Sequence, residues 1–339
     1  MRIRAVVADR VQPVDAIRAY AEHLVSALNA RGENARLTSP TPSTSPADVT
    51  LVQYNPFSFG RWGLAPGLVL WALRQRWSGS SGMLVLMVHE PYVAAVDART
   101  CLMAAWQRTQ LGLLRLGARR VLAPSADQAR RCGKRFRRAR VLPVGSNLPD
   151  GRLGRDAARR SLGAQADDIV LVTFAASPSG HRQDLVSAAA SSVVEGGRSC
   201  VLLVLGVGNT VPRGLPPEVR ISRPGHLPDA ELARQLAAGD IFVAPYVDGV
   251  STRRTALMAA LQHALPVVGT VTVRSDRVLR DSDAIVAIAV DAVDESARAT
   301  ERLASDREER LRRGLAARAL FEREFAWDRI AARLLRELE

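Results

Sequence analysis

The stretch from Asp240 to Thr270, DIFVAPYVDGVSTRRTALMAALQHALPVVGT, constrains the fold more than any other part of the chain. Ile241 to Ala244 is a short apolar run that reads as a buried strand, broken at Pro245. Ser251 and Thr252 are residue types that cap a helix N-terminus, and Ala256, Leu257, Ala260 and Leu261 fall on one helical face. Pro266 to Gly269 reads as a second strand directly after it. Strand, loop, helix and strand form the unit that builds parallel sheets, whose ligands bind beyond the strand C-termini. Arg253 and Arg254 would then sit in the first helical turn, where each costs roughly 0.3–1 kcal/mol against the helix dipole. An anion resting on the Ser251 and Thr252 amides reverses that cost, because free N–H groups and guanidinium forks both suit phosphate. The other reading, two arginines pointing into water, stays open at this point.

The chain of 339 residues is long enough for two domains of ordinary size. With 47% hydrophobic and 24% charged residues it is globular rather than disordered. Its net charge of +13 comes from 47 basic and 34 acidic residues, and Lys134 is the sole lysine. Such a balance suits nucleotide phosphates, an anionic membrane face or nucleic acid. No zinc-finger or RNA-binding signature accompanies it, so nucleic acid is not an expected partner. Cys101, Cys132 and Cys200 are odd in number and lack metal-ligand spacing, as expected of reduced cytoplasmic thiols. Residues 2–8 already read as a strand, so no signal peptide is expected. No run approaches the roughly 20 apolar residues of a membrane span. The expected setting is cytoplasmic, membrane-peripheral at most. Between Arg115 and Arg140 lie ten basic residues and one acid, Asp127. Weak docking to an anionic membrane is one reading of that segment. A solvated helix face is the better one, because bulky apolar residues for insertion are sparse there.

Ile3 to Ala8 forms the first strand, and Ile17, Tyr20, Ala21, Leu24, Val25 and Leu28 share a helical face that Gly32 ends. After a proline-rich loop at 38–47, a strand from Val49 to Gln53 runs into Tyr54, Asn55 and Pro56. A helix follows around Leu64 to Arg76. Met83 to Val88 is fully apolar and stops at His89-Glu90-Pro91. A buried parallel strand delivering histidine and carboxylate at its C-terminal end commonly presents chemistry, although an isolated histidine is more often structural. Val121 to Ser125 and Val141 to Asn147 read as the last strands of a first domain. Residues 149–166 read as linker plus a short helix, and Ile169 to Phe174 opens a second domain. Leu202 to Leu205 ends in Gly206-Val207-Gly208, a strand-end turn lacking the third glycine of a dinucleotide fingerprint. A strand from Ala284 to Val290, a helical stretch over 294–324 and a terminal helix complete the chain.

DGVSTRRTALMAALQHALPVV resembles the donor-binding signature of retaining glycosyltransferases of the GT-B type in family 4 (group 1), whose ending Leu265-Pro266-Val267-Val268 matches. The Tyr-Ala-Glu-x-Leu of residues 20–24, His89 and the turn from Leu142 to Asn147 resemble other segments of that family. Asp248 and Ala259 or Ala260 stand where the family usually carries two glutamates, and Val14-Asp15 where it carries Gly-Gly. The resemblance implies an α/β GT-B architecture, two Rossmann-like domains with parallel sheets facing a central cleft. It divides the chain into an acceptor-side domain (1–148), a linker (149–166), a nucleotide-sugar domain (167–324) and a terminal helix crossing back (325–339). It also implies transfer of a sugar, with retention, from a nucleotide diphosphate sugar of GDP or UDP type to a small-molecule, glycan or lipid acceptor, without cofactor or metal.

By the same resemblance His89 faces the sugar undergoing transfer, and Glu90 orients it or acts as base. Asp15, Tyr54 and Asn55 lie on the acceptor side. Asn147, Ser177, His181, Arg182, His226, Leu227, Asp248, Gly249, Ser251, Thr252 and Arg253 lie on the donor side. Two other readings stay open. One is a dinucleotide-cofactor enzyme, which needs a GxGxxG that the sequence lacks. The other is a GT-B relative with altered chemistry or an unusual donor or acceptor in secondary metabolism, which the replaced glutamates allow.

Overall fold

The computed structural model describes residues 1–8, 15–40, 47–77, 82–133, 138–175, 180–208 and 212–339. Ser177 and residues 134–137 of the basic segment lie outside them. The chain divides into two compact units, Met1–Val144 with Trp327–Glu339, and Gly145–Ala326.

In the first unit the elements run β1 (Arg2–Val6), α1 (Ala16–Ala30), β2 (Asn34–Thr38), β3 (Val49–Tyr54), α2 (Pro56–Phe59), α3 (Pro66–Trp77), β4 (Met83–Val88), α4 (Ala98–Gly117), β5 (Arg120–Ala123), α5 (Ala126–Arg131) and β6 (Arg140–Val141). Six parallel strands pair in the order β2-β1-β3-β4-β5-β6. β3 and β4 bury nearly every residue, which is why both read as apolar runs rather than alternating ones. Leu24, Leu28, Leu51, Leu86 and Leu114 are fully enclosed, each contributing ~1.5–3 kcal/mol of burial. The expected strand at Val141–Asn147 is shorter than its sequence suggests. Only Arg140–Val141 pairs with β5, because Pro143 has no N–H to continue the ladder. The terminal helix (Trp327–Leu338) lies against α1 with Ile330, Ala331 and Leu334 buried. Trp327 stacks on His23 at 5.2 Å and meets Tyr20 edge-on at 5.3 Å.

The second unit runs α6 (Arg155–Ser161), β7 (Ile169–Phe174), α7 (Gln183–Glu195), β8 (Cys200–Leu205), β9 (Arg220–Ser222), α8 (Asp229–Ala237), β10 (Ile241–Ala244), α9 (Thr255–Gln262), β11 (Val267–Thr270), α10 (Arg277–Arg280), β12 (Ile285–Ile288), α11 (Val293–Ser305) and α12 (Arg307–Leu320). Its parallel sheet has the order β12-β11-β10-β7-β8-β9. α7 and α11 pack together over a core that includes Leu171, Leu185, Val193, Leu202 and Leu303. The segment expected as a linker is bound into this unit. Arg155 and Arg159 of α6 grip the two oxygens of Asp240 at 2.6 and 2.9 Å. The helical stretch expected over 294–324 is broken at Asp306, whose carboxylate accepts from the Glu309 amide and caps α12. No helix among the described residues is long and apolar enough to cross a membrane.

Candidate active site

In the second sheet β7 lies between β8 and β10. The chain moves outward from β7 through β8 to β9, then returns to start β10 on the other side. β7 and β10 therefore flank the point where the strand order reverses, and open α/β sheets bind ligands in the crevice outside the strand C-termini at such a point. The two loops are stitched by backbone bonds from Arg182 N to Pro245 O (2.8 Å) and Val247 N to Gly180 O (3.1 Å). This brings His181 against Tyr246, with ring centroids 5.0 Å apart. His181 is 6% exposed and its Nδ1 makes no hydrogen bond. Burial, reinforced by the Arg254 charge, pushes its pKa down to about 4.

The charged centre of this crevice is Asp248. One of its oxygens accepts from Arg253 Nη2 at 2.5 Å and the other from Arg254 Nη2. Burial alone would raise the Asp248 pKa, but the two guanidiniums outweigh it and hold the carboxylate below its ordinary value. Arg254 also lies over the Tyr246 ring at 4.5 Å. Two arginines share one carboxylate, so the ensemble keeps a net positive charge in a partly buried position. Gly249 makes the loop possible. Its φ is +83°, and a Cβ there would lie 2.3 Å from Ser275 Oγ. Thr272 Oγ1 donates to Asp248 O (2.8 Å) and fixes the turn from the far side.

The helix after this loop starts later than the sequence suggests. Arg254 is its N-cap and Thr255 its first residue, so Ser251 and Thr252 do not cap it. Both side chains turn inward to Asp276 instead. Asp276 Oδ2 accepts from Ser251 Oγ (3.0 Å), Thr252 Oγ1 (3.1 Å) and Thr252 N (2.9 Å). The anion expected at the Thr252 amide is thus supplied by the chain itself, since a buried carboxylate must find donors. Neither sequence reading of the arginine pair holds in its simple form: they converge on Asp248.

The remaining donor-side candidates are more dispersed. Arg182 forks onto Asp184 and also donates to Val290 O at 2.7 Å, so its charge is balanced locally. His226 is exposed and Leu227 half-buried in the loop after β9, at the same end of the sheet. Asn147 is half-buried just past β6. At the opposite end of the second sheet two adjoining cavities share Arg155, Asp240, Arg307 and Arg310. Arg155 donates to carbonyls ending α8 and Arg310 to carbonyls ending α11, so these arginines serve helix termini.

In the first unit His89 sits at the end of β4, beside Gln53 near the end of β3. His89 Nε2 lies 2.8 Å from Gln53 Oε1, and its ring meets Tyr20 edge-on at 5.0 Å. Gln128 Nε2 donates to His89 O at 2.6 Å. Burial pushes the His89 pKa down to about 4, so the imidazole is neutral near pH 7. With Gln53 Oε1 accepting, Nε2 carries the proton and Nδ1 retains its lone pair. Glu90 approaches Arg131 at 4.0 Å.

The acceptor-side candidates have structural employment. Tyr54 is fully buried and its hydroxyl accepts from Gln110 Nε2, which removes it from contact with any ligand. Asn55 caps α2 through the Phe57 amide, and Asp15 caps α1. Sequence reading passed over Gln53, Tyr246 and Asp276. Gln53 had a signal, a polar residue inside an otherwise apolar buried strand. Asp276 had none, being 24 residues from its partner Thr252.

Residues 168–306 match the family described as Glycosyl transferases group 1. No curated protein matches the chain at a significant level. Among solved structures, the chain is similar to sucrose-phosphate synthase from Thermosynechococcus elongatus, with 16% identity, TM-score 0.68, and coverage of 100% of this chain and 99% of that one. It is similar also to HepE from Anabaena, solved with UDP and glucose (13% identity, TM-score 0.67, 100% and 99% covered). A trehalose 6-phosphate synthase from Burkholderia multivorans gives 11% identity, TM-score 0.64, and 99% and 96% coverage. These likenesses show the fold, an α/β GT-B architecture of two parallel six-stranded sheets.

Proposed function

We propose that this chain, which carries a group 1 glycosyltransferase domain over residues 168–306, moves a sugar from a nucleotide diphosphate donor of UDP or GDP type to a hydroxyl acceptor with retained configuration. One observation carries the reading: Arg253 and Arg254 converge on Asp248 in the crevice between β7 and β10 of that domain. Breaking the bond between the anomeric carbon and the diphosphate leaves negative charge on phosphate oxygens. Guanidiniums already held in place stabilise that charge without reorganising, the largest single contribution in many enzymes. Asp248 keeps both forks aimed together, and Gly249 and Asp276 fix the loop that presents them. The binding of UDP and glucose by HepE supports a UDP-type donor.

His89, neutral and oriented by Gln53, presents Nδ1 as an acceptor for a sugar hydroxyl near the reacting carbon. The acceptor hydroxyl attacks that carbon, and its proton passes to the leaving diphosphate. Arginine supplies the neutralising charge, so turnover should survive chelation of divalent metal.

The test is calorimetric binding of UDP, GDP, ADP and dTDP at constant salt, with NAD and S-adenosylmethionine as controls. One diphosphate should bind clearly better than the rest and should be lost in Arg253→Ala/Arg254→Ala. Silence from all four with either control binding would sink the transferase reading.

A further inference from the structure

The arginine-lined cavities at the strand N-terminal end of the second sheet have no part in the transfer chemistry. The narrower of the two encloses about 330 Å³, within the range of pockets that hold small ligands. Its lining is of two kinds. Arg152, Arg155, Arg307 and Arg310 are set against one carboxylate, Asp240. Beside them lie Leu265, Pro266, Leu311 and Leu315, of which Leu311 is 58% and Leu315 72% exposed.

The charges do not cancel. Asp240 is already shared, one oxygen with Arg155 at 2.6 Å and the other with Arg159 at 2.9 Å. Arg152 pairs with Asp150, which also takes Arg318 at 3.2 Å. Arg310 is half-buried and pairs with no carboxylate among the described residues. Its Nη1 donates to Leu303 O (2.7 Å) and Ala304 O (2.8 Å), the carbonyls that end α11. A helix C-terminus carries only about half a negative charge, so the guanidinium is not neutralised. Burial, joined by the charges of Arg307, Arg155 and Arg198, outweighs Asp240 and lowers the Arg310 pKa. Arg307, one turn earlier, opens α12 at its positive end, and its side chain has no hydrogen bond or ion pair among the described residues. Asp156 and Asp167 are exposed and line the adjoining cavity rather than this one. A partly desolvated cation calls for a counter-ion, and the carboxylate of this lining is already taken.

We propose that this cavity is a second ligand site, which binds a phosphate monoester of a small organic molecule. Arg307 and Arg310 take the phosphoryl oxygens, and the organic body lies on Pro266, Leu311 and Leu315. Two neighbouring guanidiniums suit a phosphoryl dianion, whose oxygens match their N–H forks. The leucines favour an ester over inorganic phosphate, because they offer apolar surface to cover. The site is separate from the donor crevice. Asp240 and the loop to Asp248 lie at opposite ends of β10, whose four residues span about 13 Å. The inference stands independently of the transferase reading.

The test is calorimetric titration of the full chain with phenyl phosphate, inorganic phosphate and phenol at constant ionic strength. Phenyl phosphate should bind about tenfold more tightly than inorganic phosphate, and phenol should not bind. Arg307→Gln, which has no partner to lose, should weaken phenyl phosphate at least about fivefold, and Arg307→Gln with Arg310→Gln at least about thirtyfold. Arg253→Ala with Arg254→Ala should leave this binding in place. Thermal melting identifies a misfolded double variant, and Arg307→Gln alone then decides. Absence of phenyl phosphate binding to the wild type would overturn the proposal, as would affinity unchanged in Arg307→Gln. Inorganic phosphate binding as tightly as the ester would overturn the organic ligand. Equal binding of phenol would assign the cavity to apolar molecules, and loss of binding in the Arg253→Ala/Arg254→Ala variant would assign the phosphate to the donor crevice. Either result would overturn the site.

Discussion

The two sheets each have six parallel strands, yet they are wound differently. Counting strands within each unit, the first has the order 2-1-3-4-5-6 and the second 3-2-1-4-5-6. The reversal of strand order falls between β1 and β3 in one and between β7 and β10 in the other. In the second unit that crevice is lined by charge: Asp248, Arg253 and Arg254, fixed by a loop with a left-handed glycine. In the first unit the polar residues beside the reversal cap helices, as Asp15 and Asn55 do, and the histidine arrives one strand further along. Under the proposed function, the difference separates two tasks. Holding a diphosphate needs fixed charge, whereas working near a reacting carbon needs a neutral group with a defined lone pair.

The comparison can be broken most forcefully at the charge. Arg253→Ala with Arg254→Ala should lower kcat/KM by roughly a hundred- to a thousandfold, with diphosphate binding lost by calorimetry. His89→Ala should lower kcat about a hundredfold while leaving nucleotide affinity near wild type. If both variants lost affinity equally, the division of tasks would be wrong. Gly249→Ala forces a side chain into left-handed backbone and against Ser275. It should cost about 1–3 kcal/mol in urea denaturation and raise the KM for donor.

The smallest effect concerns acid. His89 and His181 are held near pKa 4 against an ordinary 6.5. Between those values the unfolded chain binds protons that the folded chain refuses, so stability falls as pH drops from 6.5 toward 4. Replacing either histidine by glutamine should make the pH profile of unfolding shallower by one proton, and one such change in each unit would show both sites obeying the same rule.

Much of this architecture was legible in the sequence because buried parallel strands announce themselves as apolar runs. Met83–Val88, Ile169–Phe174 and Ile241–Ala244 have the bounds their residues suggest. The site was legible in its residue types and less so in its geometry. Ser251 and Thr252 have the chemistry of helix caps, but a carboxylate distant in sequence recruits their hydroxyls, and the helix begins three residues after Thr252. Tyr54 ends its strand and still turns into the core, where its hydroxyl accepts from Gln110 of α4. Local pattern specifies the strand; which side chain faces a ligand is decided by partners that fold onto it.

The terminal helix bears on how the molecule is made. α1 has its partner surface on the terminal helix, joined by an Arg31–Asp328 ion pair across 297 residues of sequence. During synthesis the first unit emerges early but lacks one helix until residues 327–338, which follow the whole of the second unit, have left the ribosome, whereas the second unit is continuous and can finish alone. Tyr20 and His23 meet Trp327 only then. The unit that begins first is therefore the last to be completed, and its nascent form presents an apolar helix face that chaperones would recognise.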